Sequence, residues 1–143
     1  MTTPFVSIII PVYNDAERLQ RCLTALEQQT YPKAKYEVIV VDNGSTKGDM
    51  TAIVAAFDQA KMAIEPRPGS YAARNHGLTL AKGDIIAFTD ADCIPAENWL
   101  ENGVAMLLQT PNCGLVAGKI DVFFQDPAQL TLVERYERVM AFQ

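Results

Sequence analysis

The sequence predicts an α/β fold built on a mostly parallel central sheet, and three observations carry that expectation. The hydrophobic period switches repeatedly between that of a strand and that of a helix, as a chain of βαβ units requires. The first strand-like run, Phe5 to Val12, is almost continuously apolar and rich in β-branched residues, the pattern of a strand covered on both faces. The chain has 143 residues, 49% hydrophobic and 20% charged, and carries no repeat, low-complexity tract or charged linker. One domain spanning 1–143 with a substantial core is therefore expected.

The elements follow in order. After Phe5 to Val12, Asn14 reads as a helix N-cap with Glu17 as its capping-box partner, and Leu19, Cys22, Leu23 and Leu26 fall at i, i+3, i+4 and i+7. The chain turns at Tyr31-Pro32. Tyr36 to Val41 is the second strand, followed by the loop Asp42-Asn43-Gly44-Ser45-Thr46 and a helix carrying Met50, Ile53, Val54 and Phe57. Lys61 to Glu65 reads as a short third strand. Pro66-Arg67-Pro68-Gly69 turns the chain into a helix from Ser70 to Lys82, with Gly83 as its C-terminal stop. Ile85 to Thr89 is the fourth strand. Pro95, as a first-turn residue, opens a helix bearing Trp99, Leu100, Leu107 and Leu108, and Gly114 to Phe124 resumes β character. From Ala128 onward Leu132, Val133, Tyr136, Val139 and Met140 share one helical face. That helix reaches Gln143 with no capping signal or closing turn, so the chain is expected to end early and to use this C-terminal face in a homo-oligomer.

Composition excludes several functions. A net charge of −5 argues against a nucleic-acid partner, which would demand a basic face. Cys22, Cys93 and Cys113 are odd in number and lack CxxC spacing, so neither a disulfide framework nor a zinc site is indicated. Reduced core thiols imply a cytoplasmic chain, at most peripheral to a membrane. The start, MTTPFVSIIIPVYN, has no basic leader region, and its apolar run falls far short of the roughly 20 residues of an integral membrane segment. Neither GxGxxG nor GxxxxGK[ST] occurs, which removes dinucleotide dehydrogenase and P-loop chemistry.

In an open parallel sheet ligands bind in the crevice beyond the carboxyl ends of the strands. Three of those ends are chemically rich: Pro11-Val12-Tyr13-Asn14, Asp42-Asn43-Gly44-Ser45 and Asp90-Ala91-Asp92. An aromatic ring, a hydrogen-bonding pair beside a glycine and a paired acid outline a nucleotide site. Along extended backbone Asp90 and Asp92 project to one side, where like charges repel. A divalent cation removes the conflict, because Mg²⁺ and Mn²⁺ take carboxylate oxygens and are commonly shared with substrate phosphates.

The four stretches SIIIPVYN, VVDNGST, GSYAARNHGL and FTDADC, in this order and at these distances, resemble the amino-terminal half of a family 2 glycosyltransferase. The likeness runs from Val6 to about Phe124. It implies a three-layer α/β/α, Rossmann-like GT-A fold. It also implies a nucleotide diphosphate-sugar donor, inverting transfer to an acceptor hydroxyl, and Mn²⁺ or Mg²⁺ as cofactor. By this resemblance Tyr13 packs on the nucleobase, Asp42 and Asn43 hydrogen-bond it, Arg74 lies near the donor and Asp90 on its ribose side. Pro11, Asn14 and Ser45 complete the nucleotide-binding set, and Asp92 is the metal ligand. Many members carry a second Asp where this chain has Asn43. An amide accepts from a uracil or thymine N–H while donating to a ring carbonyl.

Inverting transfer needs a general base, which in this family lies in the second half of the domain. No motif marks one before Gln143; Asp121 and Asp126 are acids without a supporting pattern. The alternative is thus a non-catalytic nucleotide-sugar-binding or assembly module. A nucleotidyltransferase would prefer a glycine-rich basic loop after the first strand, which Pro11-Val12-Tyr13-Asn14 is not. His76, the sole histidine, reads as a helix-surface or satisfied buried residue, and Trp99 as core.

Overall fold

The computed structural model describes residues 3–123, 128–129 and 131–132. Strands β1 (Val6–Val12), β2 (Tyr36–Asp42), β3 (Ala60–Ile64) and β4 (Ile85–Phe88) pair in parallel in the order β3-β2-β1-β4. Helices α1 (Ala16–Glu27), α2 (Met50–Ala55), α3 (Ser70–Leu80) and α4 (Trp99–Gln109) connect and flank them.

The period-2 alternation of each strand divides the core. Ile8, Ile10, Val38 and Val40 face α1, α2 and α4 in one cluster, whereas Ile39 and Val41 face α3 in another. The expected three-layer α/β/α arrangement is present. The chain steps outward from β1 to β3 with α1 and α2 on one face, then returns across the other face through α3 to set β4 beside β1. The direction of winding reverses between β1 and β4, and a crevice opens at such a switch point.

All four stripe residues of α1, Leu19, Cys22, Leu23 and Leu26, are buried. Each leucine so placed stabilises the fold by roughly 1.5–3 kcal/mol relative to exposure, far more than any ion pair on the helix's outer face. On the opposite side α3 approaches the sheet at Gly77, where a Cβ would fall 2.6 Å from Ile9 Cγ2.

Pro11 lies in β1, an inner strand, where a residue without an N–H ordinarily breaks a ladder. Register explains it. The Asn43 N–H donates to Val12 O at 2.9 Å, so even-numbered β1 residues address β2; the Thr89 N–H donates to Ile9 O at 3.4 Å, so odd-numbered ones address β4. Because β4 ends at Phe88, Pro11 faces a side with no neighbouring strand. The missing donor sits where β4 has diverged and the crevice begins.

At the other end of the sheet the buried Ser7 hydroxyl donates to Glu37 Oε1 at 2.7 Å and accepts from the Lys82 and Gly83 N–H groups at 3.1 and 2.8 Å. Lys61 Nζ lies 2.9 Å from Glu37 Oε2. Burial pushes the Glu37 carboxyl up, but Lys61, Ser7 and the Lys82 N–H outweigh it, and the group lies below the usual carboxylate range.

Several local expectations are corrected. Asp15, not Asn14, occupies the N-cap position of α1, and Glu17 pairs with Arg21 instead of closing a capping box. Helix α3 ends at Leu80 with Ala81 extended, so Gly83 is not its cap. Gly83 is small for another reason: a Cβ there would lie 2.5 Å from Ser7 N and 2.7 Å from Ile85 O. Pro95 precedes α4 by several residues and opens no helix. Residues 114–123 form no strand, since β character needs a neighbouring ladder, and Leu115, Ile120 and Phe123 are exposed. Of the three cysteines only Cys22 is in the core; Cys93 and Cys113 are half-buried, and all three are free. Trp99 packs against the main core as expected. The stripe expected from Leu132 to Met140, and with it the oligomer face, falls almost wholly outside the described residues. Among the described residues no helix is long and apolar enough to cross a membrane.

Candidate functional site

A crevice of about 300 Å³ opens at the switch point. Strand β1 brings Pro11 and Tyr13 to it, the β2 end brings Asn43, α3 brings Ser70 and Arg74, and the turn after β4 brings Asp90 and Asp92. A larger cavity of about 350 Å³ lies at the amino ends of β2 and β3, between Leu23, Leu26, Tyr36 and Phe57. Its lining also includes Glu27, Lys33 and Asp58, whereas the neighbouring acids Asp90 and Asp92 lie at the smaller crevice, which is therefore the candidate site.

The remaining expected residues, Asn14, Asp42 and Ser45, do not line the crevice and instead join the loops beside it. Asn14 adopts φ 50°, a left-handed conformation that Asn tolerates better than most residues. Its Oδ1 accepts from the Thr46 and Lys47 N–H groups at 2.7 and 3.0 Å, and its own N–H donates to Ser45 Oγ at 2.8 Å. Asp42 Oδ1 accepts from the Ser45 N–H at 3.0 Å. Asn14, Asp42 and Ser45 therefore clasp the β1 and β2 loops together.

Asn43 is committed on both sides of its amide. Nδ2 donates to Glu65 O at 2.9 Å and to Arg67 O at 2.6 Å, while Oδ1 accepts from the Gly69 N–H at 2.9 Å. Both donors are used, and one lone pair on Oδ1 is left. The residue thus shapes the 65–69 loop, a function not foreseen from its place beside a glycine. Within that loop the Arg67 guanidinium and backbone N–H hold the Glu65 carboxyl down to about 2, with His76 Nδ1 3.4 Å from Glu65 Oε2. His76 is half-buried on α3, and its Nδ1, although near that carboxylate, makes no hydrogen bond among the described residues, so the expected satisfied histidine is not what the structure shows.

Because Glu65 lies below its ordinary 4.5, its contribution to stability is complete above that pH and is lost as pH falls from 4.5 toward 2. Glu37 shifts in the same direction. The urea midpoint should fall across that interval, and Glu65→Gln should flatten the fall; an equally steep fall in the variant would refute it.

The acid pair is brought together by a turn, not by the pleat of a strand. The Cys93 N–H donates to Asp90 O at 3.0 Å, closing residues 90–93. Asp90, Asp92 and Cys93 present ligand atoms within 4.8 Å of one another. Burial pushes the Cys93 thiol up, which leaves two hard carboxylates as the anionic members of the group. Cys22, whose thiol burial raises to about 12, stays protonated and donates to Asp90 O at 3.6 Å, tying α1 to the turn.

Arg74 Nη2 meets Asp90 Oδ1 at 2.7 Å while Nη1 contacts Ser70 Oγ at 3.1 Å. Arg18 Nη1 stands 4.0 Å from Asp92 Oδ2. Ion pairs this exposed contribute about 0–1 kcal/mol, so stability does not explain why two guanidinium groups gather here. Asp15, Arg18, Ser70 and Cys93 were missed from sequence. The first two were findable as an i, i+3 pair directly after the first strand end.

Comparisons with known proteins give the family and the fold. Residues 7–143 match the family model described as glycosyl transferase family 2. Glycosyltransferase AglE of Haloferax volcanii is 49% identical over 140 residues, 95% of this chain and 45% of that protein. The mannosyltransferase PcManGT from Pyrobaculum calidifontis, solved in complex with GDP-Man and Mn²⁺, superposes with a TM-score of 0.69 at 35% identity. That match covers 77% of this chain and 34% of PcManGT. S. aureus TarS 1-349, solved in complex with UDP-GlcNAc, gives 0.65 at 27% identity, covering 73% of this chain and 31% of TarS. The chain thus spans less than half of each of these relatives. With its GT-A architecture and a family match over nearly its whole length, it belongs to glycosyl transferase family 2.

Proposed function

We propose that this chain is the donor-binding part of a metal-dependent inverting glycosyltransferase, which transfers a sugar from a nucleotide diphosphate-sugar to an acceptor hydroxyl. The observation that carries the reading is the convergence of Tyr13, Arg74, Asp90 and Asp92 on one crevice at the sheet's switch point. The complexes of PcManGT with GDP-Man and of TarS with UDP-GlcNAc support a donor of this class.

The exposed ring of Tyr13 offers a face on which a nucleobase stacks. Asp42 and the free lone pair of Asn43 accept from base N–H groups, and Pro11, Asn14 and Ser45 hold the loops that frame it. Asp90 lies on the ribose side, where Arg74 orients it. The guanidinium of Arg74 also matches phosphate oxygens bidentately.

The donor set fits a hard divalent cation: two carboxylates within 4.8 Å, with a protonated thiol beside them. Asp92 would hold Mn²⁺ or Mg²⁺ with Asp90 nearby, and such an ion supplies charge stabilisation to the departing diphosphate. Reduced thiols at Cys22, Cys93 and Cys113 favour a cytoplasmic site of action, with any membrane contact peripheral.

Titration of the chain with UDP, GDP and dTDP, each with and without Mn²⁺, tests the reading. Saturable binding of at least one, tightened by Mn²⁺, is expected; none with any of the three would refute it. One observation favours the non-catalytic module instead. Asp15, Asp90 and Asp92, the acids lining the crevice, are each beside a guanidinium, and Asp121 is exposed and paired with Lys119. Asp126 lies outside the described residues. Metal-dependent release of sugar from a bound donor would favour the enzyme over the module.

A further inference from the structure

Arg18 lies in the first turn of α1, a place that disfavours a cation, because the amino end of a helix carries partial positive charge. Its side chain turns toward the crevice. Nε lies 2.8 Å from Asp15 Oδ1, and Nη1 lies 4.0 Å from Asp92 Oδ2. Asp15 and Asp92 both line the crevice. Side-chain exposures of 59% for Arg18 and 53% for Asp92 leave little folding stability to be gained from the contact.

From the other face of the sheet, α3 supplies Arg74, 2.7 Å from Asp90. The two helices belong to opposite layers, so the acid turn is flanked by one guanidinium on each wall. Two phosphoryl groups joined through one oxygen suit such an arrangement. Each presents oxygens that a planar fork of N–H donors meets two at a time, which the compact ammonium of lysine does not.

We propose that Arg18 is a positioning residue for the diphosphate of the donor, gripping it from the α1 wall as Arg74 does from the α3 wall. The proposal rests on the donor-binding reading above. Asp15 holds the guanidinium at the rim, and Asp92 marks where the phosphates arrive. The guanidinium of Arg18 lies beside Asp15 and Asp92, so its effect should be concentrated at the charged end of the ligand.

Arg18→Gln and Arg18→Lys in the whole chain test this, with two readouts: affinity for UDP and GDP in the presence of Mn²⁺, and affinity for Mn²⁺ alone by its free-ion paramagnetic resonance signal. Arg18→Gln is expected to weaken the bound diphosphate about tenfold, the loss of one charge-assisted contact. Arg18→Lys should recover only part of it, and Mn²⁺ alone should bind as well as before or better, since a competing cation is gone. Wild-type diphosphate affinity in Arg18→Gln would overturn the proposal while leaving donor binding intact. A parallel loss of Mn²⁺ affinity would overturn it too, assigning Arg18 to the support of Asp92. No binding of UDP or GDP by the wild-type chain would instead sink the donor reading, and this inference with it.

Discussion

Replacing Asp92 with alanine is expected to weaken Mn²⁺-assisted binding of UDP or GDP roughly 100-fold, the upper end of what losing even an outer-shell partner of a metal costs. Affinity measured without metal should barely change. The side chain is 53% exposed, and its contacts are Arg18 at 4.0 Å and the Cys93 thiol at 3.8 Å. Little packing is lost with it, so the folding free energy should stay within about 0.5 kcal/mol of wild type. Binding and stability therefore separate. Asp92→Asn keeps the shape and removes the charge, and a hard cation's preference for anionic oxygen predicts nearly the same loss. Calorimetric titrations with and without Mn²⁺ give the affinities and urea unfolding the stability, and a variant that keeps its full metal-assisted gain would show that the ion is held elsewhere.

The largest effect on folding is expected far from the crevice. Gly83→Ala should cost about 3 kcal/mol, the upper range for forcing an extra carbon into a filled site, and lower the melting temperature by roughly 10 °C. The added Cβ would meet Ser7 N at 2.5 Å, Ile85 O at 2.7 Å and Ser7 Oγ at 2.9 Å. Two of these are main chain, which has no rotamer through which to yield. Relieving the clash pulls the Gly83 N–H from Ser7 Oγ and loosens the β1–β4 edge at its first pair, Val6 with Ile85. Thermal unfolding monitored by circular dichroism reads this directly; a variant melting with the wild type would mean that the two segments are not in contact. The molecules that remain folded should bind nucleotide as before.

Elements with a strong period were legible because their signal is local. Every buried residue of α1 stands at its expected position, and strands β1 and β2 fall within a residue or so of where their apolar runs placed them. Helix α4 was harder. Its buried residues are Leu100 and Val104, whereas Leu108 is largely exposed, since an abundance of apolar side chains on all sides hid which stripe faces inward. The ends of elements failed for a different reason. Asn14 has the chemistry of a cap, but its carbonyl oxygen finds better partners in Thr46 and Lys47, which no local pattern announces. Gly83 likewise has the look of a helix stop and is small because of Ser7.

Site chemistry divides along the same line. Strand ends told where to look, and Pro11, Tyr13, Asn43, Arg74, Asp90 and Asp92 do meet in one crevice. What each side chain does once there depends on neighbours distant in sequence. Asn43 spends its amide on the backbone of residues 65–69, and Asp90 and Asp92 approach through a turn closed by the Cys93 N–H.

The proline in β1 has an effect beyond its fit to the register. An unsatisfied strand margin recruits other extended chains, and the stretch of β1 past Ile9 is such a margin, left open by the departure of β4. A peptide sliding in along it would miss a rung at Pro11, the next position on that side. The candidate groove is thereby guarded against being zippered shut by another polypeptide.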